Sequence, residues 1–245
     1  MATLLRLPDE ILLLIAGILD SQSLCNLRLA SKRMDAVTLP AFSKRCFETR
    51  CVMLQLPSLE NLVTISRHAI FGPEVTDLAI AIDHLTTERP SEGLRRLFVG
   101  EDAVVADRAY DRLLEDQSVM MQSGLNTTYL AQAMAALPNL DTVVFNYDDC
   151  DDRLWGRRAI EKQTGLLLTK TAIDLDSIEF VERALRAVIL AIIASKSASL
   201  RKLEITLGSH EYSSLHPDML VFPGPVLRYI RSNSPNLTNL VLWLY

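Results

Sequence analysis

Glycine is scarce, at nine of 245 residues, and none of the glycine-bearing signatures GxGxxG, GxxxxGK[ST] or GxSxG occurs. A backbone phosphate cradle or a nucleophile elbow therefore has no support. Glycine and proline together are too few for low-complexity disorder, so the chain folds. The four cysteines, Cys25, Cys46, Cys51 and Cys150, show no CxxC spacing, which favours free thiols in a reducing compartment over a disulfide framework or zinc site. Excess basic charge is also missing. A net charge of -5 leaves no broad positive field for DNA or RNA, and nucleic acid is not expected as a partner. Long apolar runs are absent: residues 11–19 and 187–194 fall short of the roughly 20 needed to span a bilayer. Asp9 and Glu10 flank the first run, unlike the basic flank of a secretory signal. No membrane association is expected, and the location is read as cytoplasm or nucleus.

What is abundant is leucine, 42 residues, against only 6% aromatics, a balance suited to helices and small repeated core units. Leu7-Pro8-Asp9-Glu10 reads as a helix start, because proline needs no amide partner there and acids complement the positive end of the dipole. This helix is expected to run to about Leu19, with Ile11, Leu14, Ile15 and Ile18 on one stripe widened by Leu12, Leu13 and Ala16. Asp20 and Ser21 signal a second helix carrying Leu24, Leu27 and Leu29, and Ser31 caps a third, which Pro40 is expected to break or restart. Three short helices in about 45 residues rarely close their own core, so part of their apolar surface is expected to await a partner.

These residues carry a resemblance. Leu7-Pro8-Asp9-Glu10-Ile11-Leu12, then Ile15, Leu19 and Leu24, and Leu27-Arg28-Leu29-Ala30-Ser31-Lys32-Arg33, resemble the F-box, over residues 4–48. Met34 stands where many members have tryptophan after the basic pair. Residues 47–68 are similar to F-box proteins of filamentous fungi. The resemblance implies docking on a Skp-type adaptor, and through it on a cullin scaffold. In this reading Pro8 fixes the helix start, Leu7, Ile11, Leu12, Ile15, Leu24 and Leu27 supply contact area, and Ser31 and Lys32 lie at the rim.

From Arg50 onward strand and helix signals alternate: strands at 51–56 and 75–82 enclose a helix at 58–68. A phrase then recurs, helix followed by leucine and strand, opened by Leu140, Leu200 and Leu237, twice with Pro-Asn before the leucine. The intervals of 60 and 37 residues are longer than regular leucine-rich repeats. The expected fold class is α+β: a three-helix F-box over 1–48, then over 49–245 a leucine-rich-repeat-like α/β solenoid with parallel strands and outer helices. Residues 102–122 read as a helix with a charged surface, and residues 164–176 have no clear assignment.

Candidate chemistry is sparse. The acidic run Asp148, Asp149, Asp151 and Asp152 lacks the glycine and terminal glutamate of a calcium hand, and His210-Glu211 lacks the second histidine of a zinc helix. Cys51 with His68 lacks a third orienting group. No catalytic residue, metal or cofactor is expected. The functional expectation is a non-catalytic substrate receptor of a cullin-RING ubiquitin ligase. Its unknown target protein would be recognised at strand ends around Asp83, His84, Tyr147, Asp148, His210 and Trp243. The alternatives are an adaptor-bound scaffold without a ligase role, and a small hydrolase whose first helices are structural.

Overall fold

The structure, a computed structural model, describes residues 4–87, 101–145, 154–166, 168, 175–206, 224, 228, 232 and 236–243. A short 3-10 turn, Leu4–Arg6, leads into α1 (Asp9–Ile18), α2 (Ser21–Ala30) and α3 (Lys32–Phe47). Strands β1 (Thr49–Met53), β2 (Asp77–Ala81), β3 (Thr142–Phe145), β4 (Lys202–Thr206) and β5 (Asn239–Trp243) follow. Between them lie α4 (Leu56–Ser66), α5 (Glu101–Ser123), α6 (Leu125–Ala136), α7 (Arg157–Thr164) and α8 (Leu175–Ser195). The five strands form one open sheet, parallel throughout and in sequential order.

The register aligns side chains in rows across the sheet. Val52, Ile80, Phe145, Ile205 and Leu242 form one row, and Leu78, Val143, Leu203 and Leu240 another. The members of these rows on β1 to β4 pack on α4, α6 and α8 in a single core, while Leu240 and Leu242 of β5 are exposed. Strands β2 and β3 are apolar on both faces, as parallel strands covered on both sides must be. In β4 the pattern changes to alternation: Leu203 and Ile205 are buried while Lys202 and Glu204, in contact with each other, are half-exposed.

The repeat expectation has a hydrogen-bonded counterpart. Before β3, Asn139 donates Nδ2 to the carbonyl of Pro73, 2.7 Å away; before β5, Asn236 does the same to Ala198 at 2.6 Å. In both cases the asparagine sits three residues ahead of its strand and the acceptor four residues ahead of the preceding strand. The carbonyls of Glu48, Thr76, Asp141 and Arg201 likewise each accept two successive amides from the next strand. The Pro-Asn-Leu phrase thus locks one unit onto the unit before it.

The expectation of helices on one outer face needs correction. Cys51, Met53, Ala79 and Ala81, on the opposite face of β1 and β2, are covered by Tyr110, Leu113 and Leu114 of α5 and by Ile160 of α7. Met120 and Met121, near the end of α5, join the main core instead. Gly124, at φ +71°, then turns the chain into α6, a conformation that favours glycine.

Proline 40 does not break α3, which runs through it without interruption. The amide lost at Pro40 would have bonded the carbonyl of Ala36, which lies on an exposed turn, where an unmade bond costs less than in a core. Thr38 and Ser43 add side-chain bonds to the carbonyls of Met34 and Pro40.

Helix α3 meets the sheet region through stacked rings. Phe47 lies parallel to Phe71 with centroids 4.2 Å apart, Phe42 meets both edge-on, and His68, just past the end of α4, also stacks on Phe71.

Candidate docking surface

The helical trio is held by terminal contacts more than by bulk. Pro8 caps α1 in extended geometry, and Asp9 and Glu10 occupy the first turn, where negative charge opposes the dipole. Arg33 reaches across from α3 to the carbonyl of Leu7 at 2.7 Å and to the Asp9 carboxylate at 2.5 Å. At the other end of α1, Arg45 donates to the carbonyl of Gly17 at 2.7 Å. Asp20 caps α2 by accepting from the amide and hydroxyl of Ser23, and the amide bond above all holds its carboxyl below the usual range. Ser31 caps α3 by accepting from the Met34 amide at 3.1 Å. Arg28 pairs with Asp35 and lies 3.6 Å over the Phe42 ring.

Both α1 and α2 pack on α3. Leu12, Ala16, Leu24 and Met34 fill the space between them, each at most 1% exposed. This corrects the expected contact set: the Leu12 and Leu24 side chains serve the internal core of the trio and have no surface to offer a neighbour. The stripe beside them is open. Ile11 is 41% exposed, Leu14 68% and Ile18 84%, at i, i+3 and i+7 on one side of α1, with half-buried Ile15 between. Leu29, at the end of α2, is exposed as well. A groove of about 640 Å³ lined by Cys25, Leu29, Lys32 and Phe42 runs between α2 and α3. Pro8 and Lys32 are exposed, Leu7 and Leu27 are half-buried, and the Ser31 hydroxyl is committed to its cap.

Leu14, Ile18 and Leu29 lay outside the expected contact set. A helical wheel of α1 has no outward direction until α3 supplies one, and then Leu12 with Ala16 turn in while Leu14 with Ile18 turn out.

The proposed recognition residues at the strand ends fare differently. Asp83 is buried and faces Arg157 at 3.3 Å, and Arg157 in turn bonds Glu161. His84 is 1% exposed, with Nδ1 2.7 Å from the Ile82 carbonyl, Nε2 2.9 Å from Ser177 Oγ, and its ring stacked on Phe180. Neither side chain projects from a loop tip, because the segment after β2 folds inward onto α5 and α8. Trp243 ends β5 in register with Thr206. Tyr147, Asp148 and His210 lie outside the described residues, as does the acidic run beginning at Asp148.

The Ser177–His84 contact has the spacing of a hydrolase dyad. Ser177, however, has no exposed surface, and a backbone carbonyl stands in the place of an orienting carboxylate. With Nδ1–H donated to that carbonyl, the pair is a satisfied core hydrogen bond.

The segment after β2 is held by two residues absent from the sequence-based expectation. Gln117 donates Nε2 to the Leu85 carbonyl at 2.9 Å, and its Oε1 accepts from the Leu85 amide at 3.0 Å and from Gln55 at 2.7 Å. Tyr110 donates its hydroxyl to the Thr86 carbonyl at 2.7 Å and accepts from the Thr86 amide at 3.2 Å. Their seven-residue spacing on α5 puts both on one face, the available signal. Among the described residues no cluster of His, Cys, Asp and Glu can hold a metal ion, and no helix is long and apolar enough to cross a membrane.

Residues 4–47 match the F-box-like family model, so the helical trio is similar to that family. The match takes in α1 to α3 and none of the sheet. No curated protein and no solved structure matches the chain.

Proposed function

We propose that this protein is a non-catalytic substrate receptor, holding a Skp-type adaptor, and through it a cullin scaffold, with its F-box-like trio, and a target protein with the region built on the sheet. The observation that carries the reading is the open apolar stripe of Ile11, Leu14 and Ile18 on a trio whose core is already filled. Three adjacent aliphatic side chains left in water at i, i+3 and i+7 are the anchors of a helix-docking interface. The mechanism is proximity: tethering a target beside a ubiquitin-loaded enzyme raises its effective concentration, and no chemistry is asked of this chain. The units repeated over residues 49–245, locked by Asn139 and Asn236, support a leucine-rich-repeat-like target-binding domain, and a fungal type of F-box protein, read from residues 47–68, is part of the same proposal. Such a receptor works in the cytoplasm or nucleus.

Binding of the full chain to a purified Skp-type adaptor tests the reading. Leu14→Glu with Ile18→Glu should leave folding stability within about 0.5 kcal/mol, because both are exposed. The same pair should weaken the complex by about thirtyfold or more, the loss of an interface anchor. An adaptor complex that survives both changes, or never forms with the wild type, overturns the proposal.

A further inference from the structure

Helices α2 and α3 bring two cysteines together. Their facing sides can be followed turn by turn: Arg28 lies 3.6 Å over the Phe42 ring, and Ser21 and Gln22 share a cleft of about 750 Å³ with Arg45 and Cys46. Cys25 stands three residues before Arg28 and four after Ser21, hence on the same side of α2, and Cys46 stands four residues after Phe42 on α3. The two thiols lie within hydrogen-bonding reach of each other. Both are half-buried. Cys25 opens on the groove between α2 and α3, and Cys46 on the cleft at the start of α2, so a small oxidant reaches the pair from two sides.

Burial, and after it the charge and hydrogen bond of Cys25, push the Cys46 thiol above its ordinary range. Arg28 and Arg45 act in the opposite direction, but Arg28 is paired with Asp35, and Asp20 lines the same cleft as Arg45. Proximity of two sulfurs, not a cationic field, therefore singles out the pair. The remaining described cysteine, Cys51, is 1% exposed beneath α5 and α7 and offers an oxidant no surface.

We propose that Cys25 and Cys46 are a modification site for peroxides, forming a reversible disulfide between α2 and α3. The Cys25 thiolate attacks one peroxide oxygen and the O–O bond breaks. Cys25 becomes a sulfenic acid, and the other oxygen leaves as hydroxide, which takes the proton Cys25 gave up and becomes water. The Cys46 sulfur then attacks the Cys25 sulfur, the S–O bond breaks, and the hydroxyl departs as water with the Cys46 proton. Two thiols are oxidised and one peroxide is reduced to two waters. Cys46, which stays protonated, suits the second step, where it already touches its target. Such a bond is undone by the thiol pool of a reducing compartment, unlike a structural framework. It fastens α2 to α3 at the end away from the Ser31 cap, uses no residue of the α1 stripe, and does not depend on adaptor docking.

Hydrogen peroxide added in limiting amount to the reduced full chain, followed by alkylation and mass spectrometry of non-reduced peptides, tests the pair. A peptide joined at Cys25 and Cys46 within one chain should appear, vanish with dithiothreitol, and lower the free-thiol titre from four to two. This pairing should exceed every other cysteine pairing by about tenfold or more in the native chain, because the fold supplies the effective concentration, and should lose that excess in urea. In Cys46→Ser the oxidation should stop at the Cys25 sulfenic acid, which dimedone captures. Cys51→Ala should leave the Cys25–Cys46 yield unchanged. If Cys46→Ser unfolds the chain, as circular dichroism would show, the native and urea maps of the wild type decide alone. An oxidised native chain without the Cys25–Cys46 peptide, or with the same mixture of pairings as in urea, overturns the proposal.

Discussion

Single side chains here do the work of missing secondary structure. The Gln117 amide bonds both the amide and the carbonyl of Leu85, as a neighbouring strand would, in a place the sheet does not reach. Gln117→Leu keeps the volume and strands three buried polar groups, on Leu85 and Gln55. It should cost about 2–4 kcal/mol in urea unfolding; a loss below about 0.5 kcal/mol would mean that water replaces the amide. Gly72 is confined differently. A Cβ there would sit 2.6 Å from the Ser66 carbonyl oxygen, a backbone atom with little room to yield. Gly72→Ala should therefore destabilise by about 1–3 kcal/mol in the same measurement, through displacement of the turn that carries Phe71. An unchanged midpoint would show that the turn shifts freely.

At the scale of elements, α3 organises the first third of the chain: it receives α1 and α2 on one side and stacks Phe47 and Phe42 against Phe71 on the other. Its uninterrupted course through Pro40 comes from this packing, which outweighs the cost of a missing helical bond. Pro40→Ala restores that bond at an exposed position and should raise stability by about 1–2 kcal/mol, after allowing for the looser unfolded chain. Thermal unfolding would read this as a higher midpoint, and a lower one would show that the proline ring itself packs. Helix α7 went unforeseen for a plain reason: eight residues, Arg157–Thr164, carry too few apolar positions to show a period. Helix α5 was legible as a helix from residue 102 to 122, but its charged pattern did not show that it passes from one face of the sheet to the other.

At the scale of the whole molecule, a sequential parallel sheet gives each inner strand two bonded neighbours and, among the described residues, leaves β1 and β5 with one. Native-state hydrogen exchange should find the slowest amides in residues 78–81 and 143–145, buried on both faces, and faster exchange in β1 and β5. Protection of β5 equal to that of β3 would mean that another segment pairs with its outer edge.

The amino-acid sequence by itself determined the elements with strong periods: the capped trio, strands β2 and β3, helices α6 and α8, and the Pro-Asn-Leu phrase that joins units. It also carried the resemblance of the trio to the F-box-like family, through Leu7-Pro8 and Leu27-Arg28-Leu29 at their spacing. These are local matters, set by residues a few positions apart. Tertiary structure alone decided which side of α1 faces water, exposing Leu14 and Ile18 while enclosing Leu12. It alone drew Asp83 and His84 into the interior. It alone set Arg158 on the same cleft as Arg45 and Arg50, more than a hundred residues earlier in the chain. The physical reason is that burial and charge clustering depend on neighbours distant along the chain, and no period or motif encodes where those neighbours will lie.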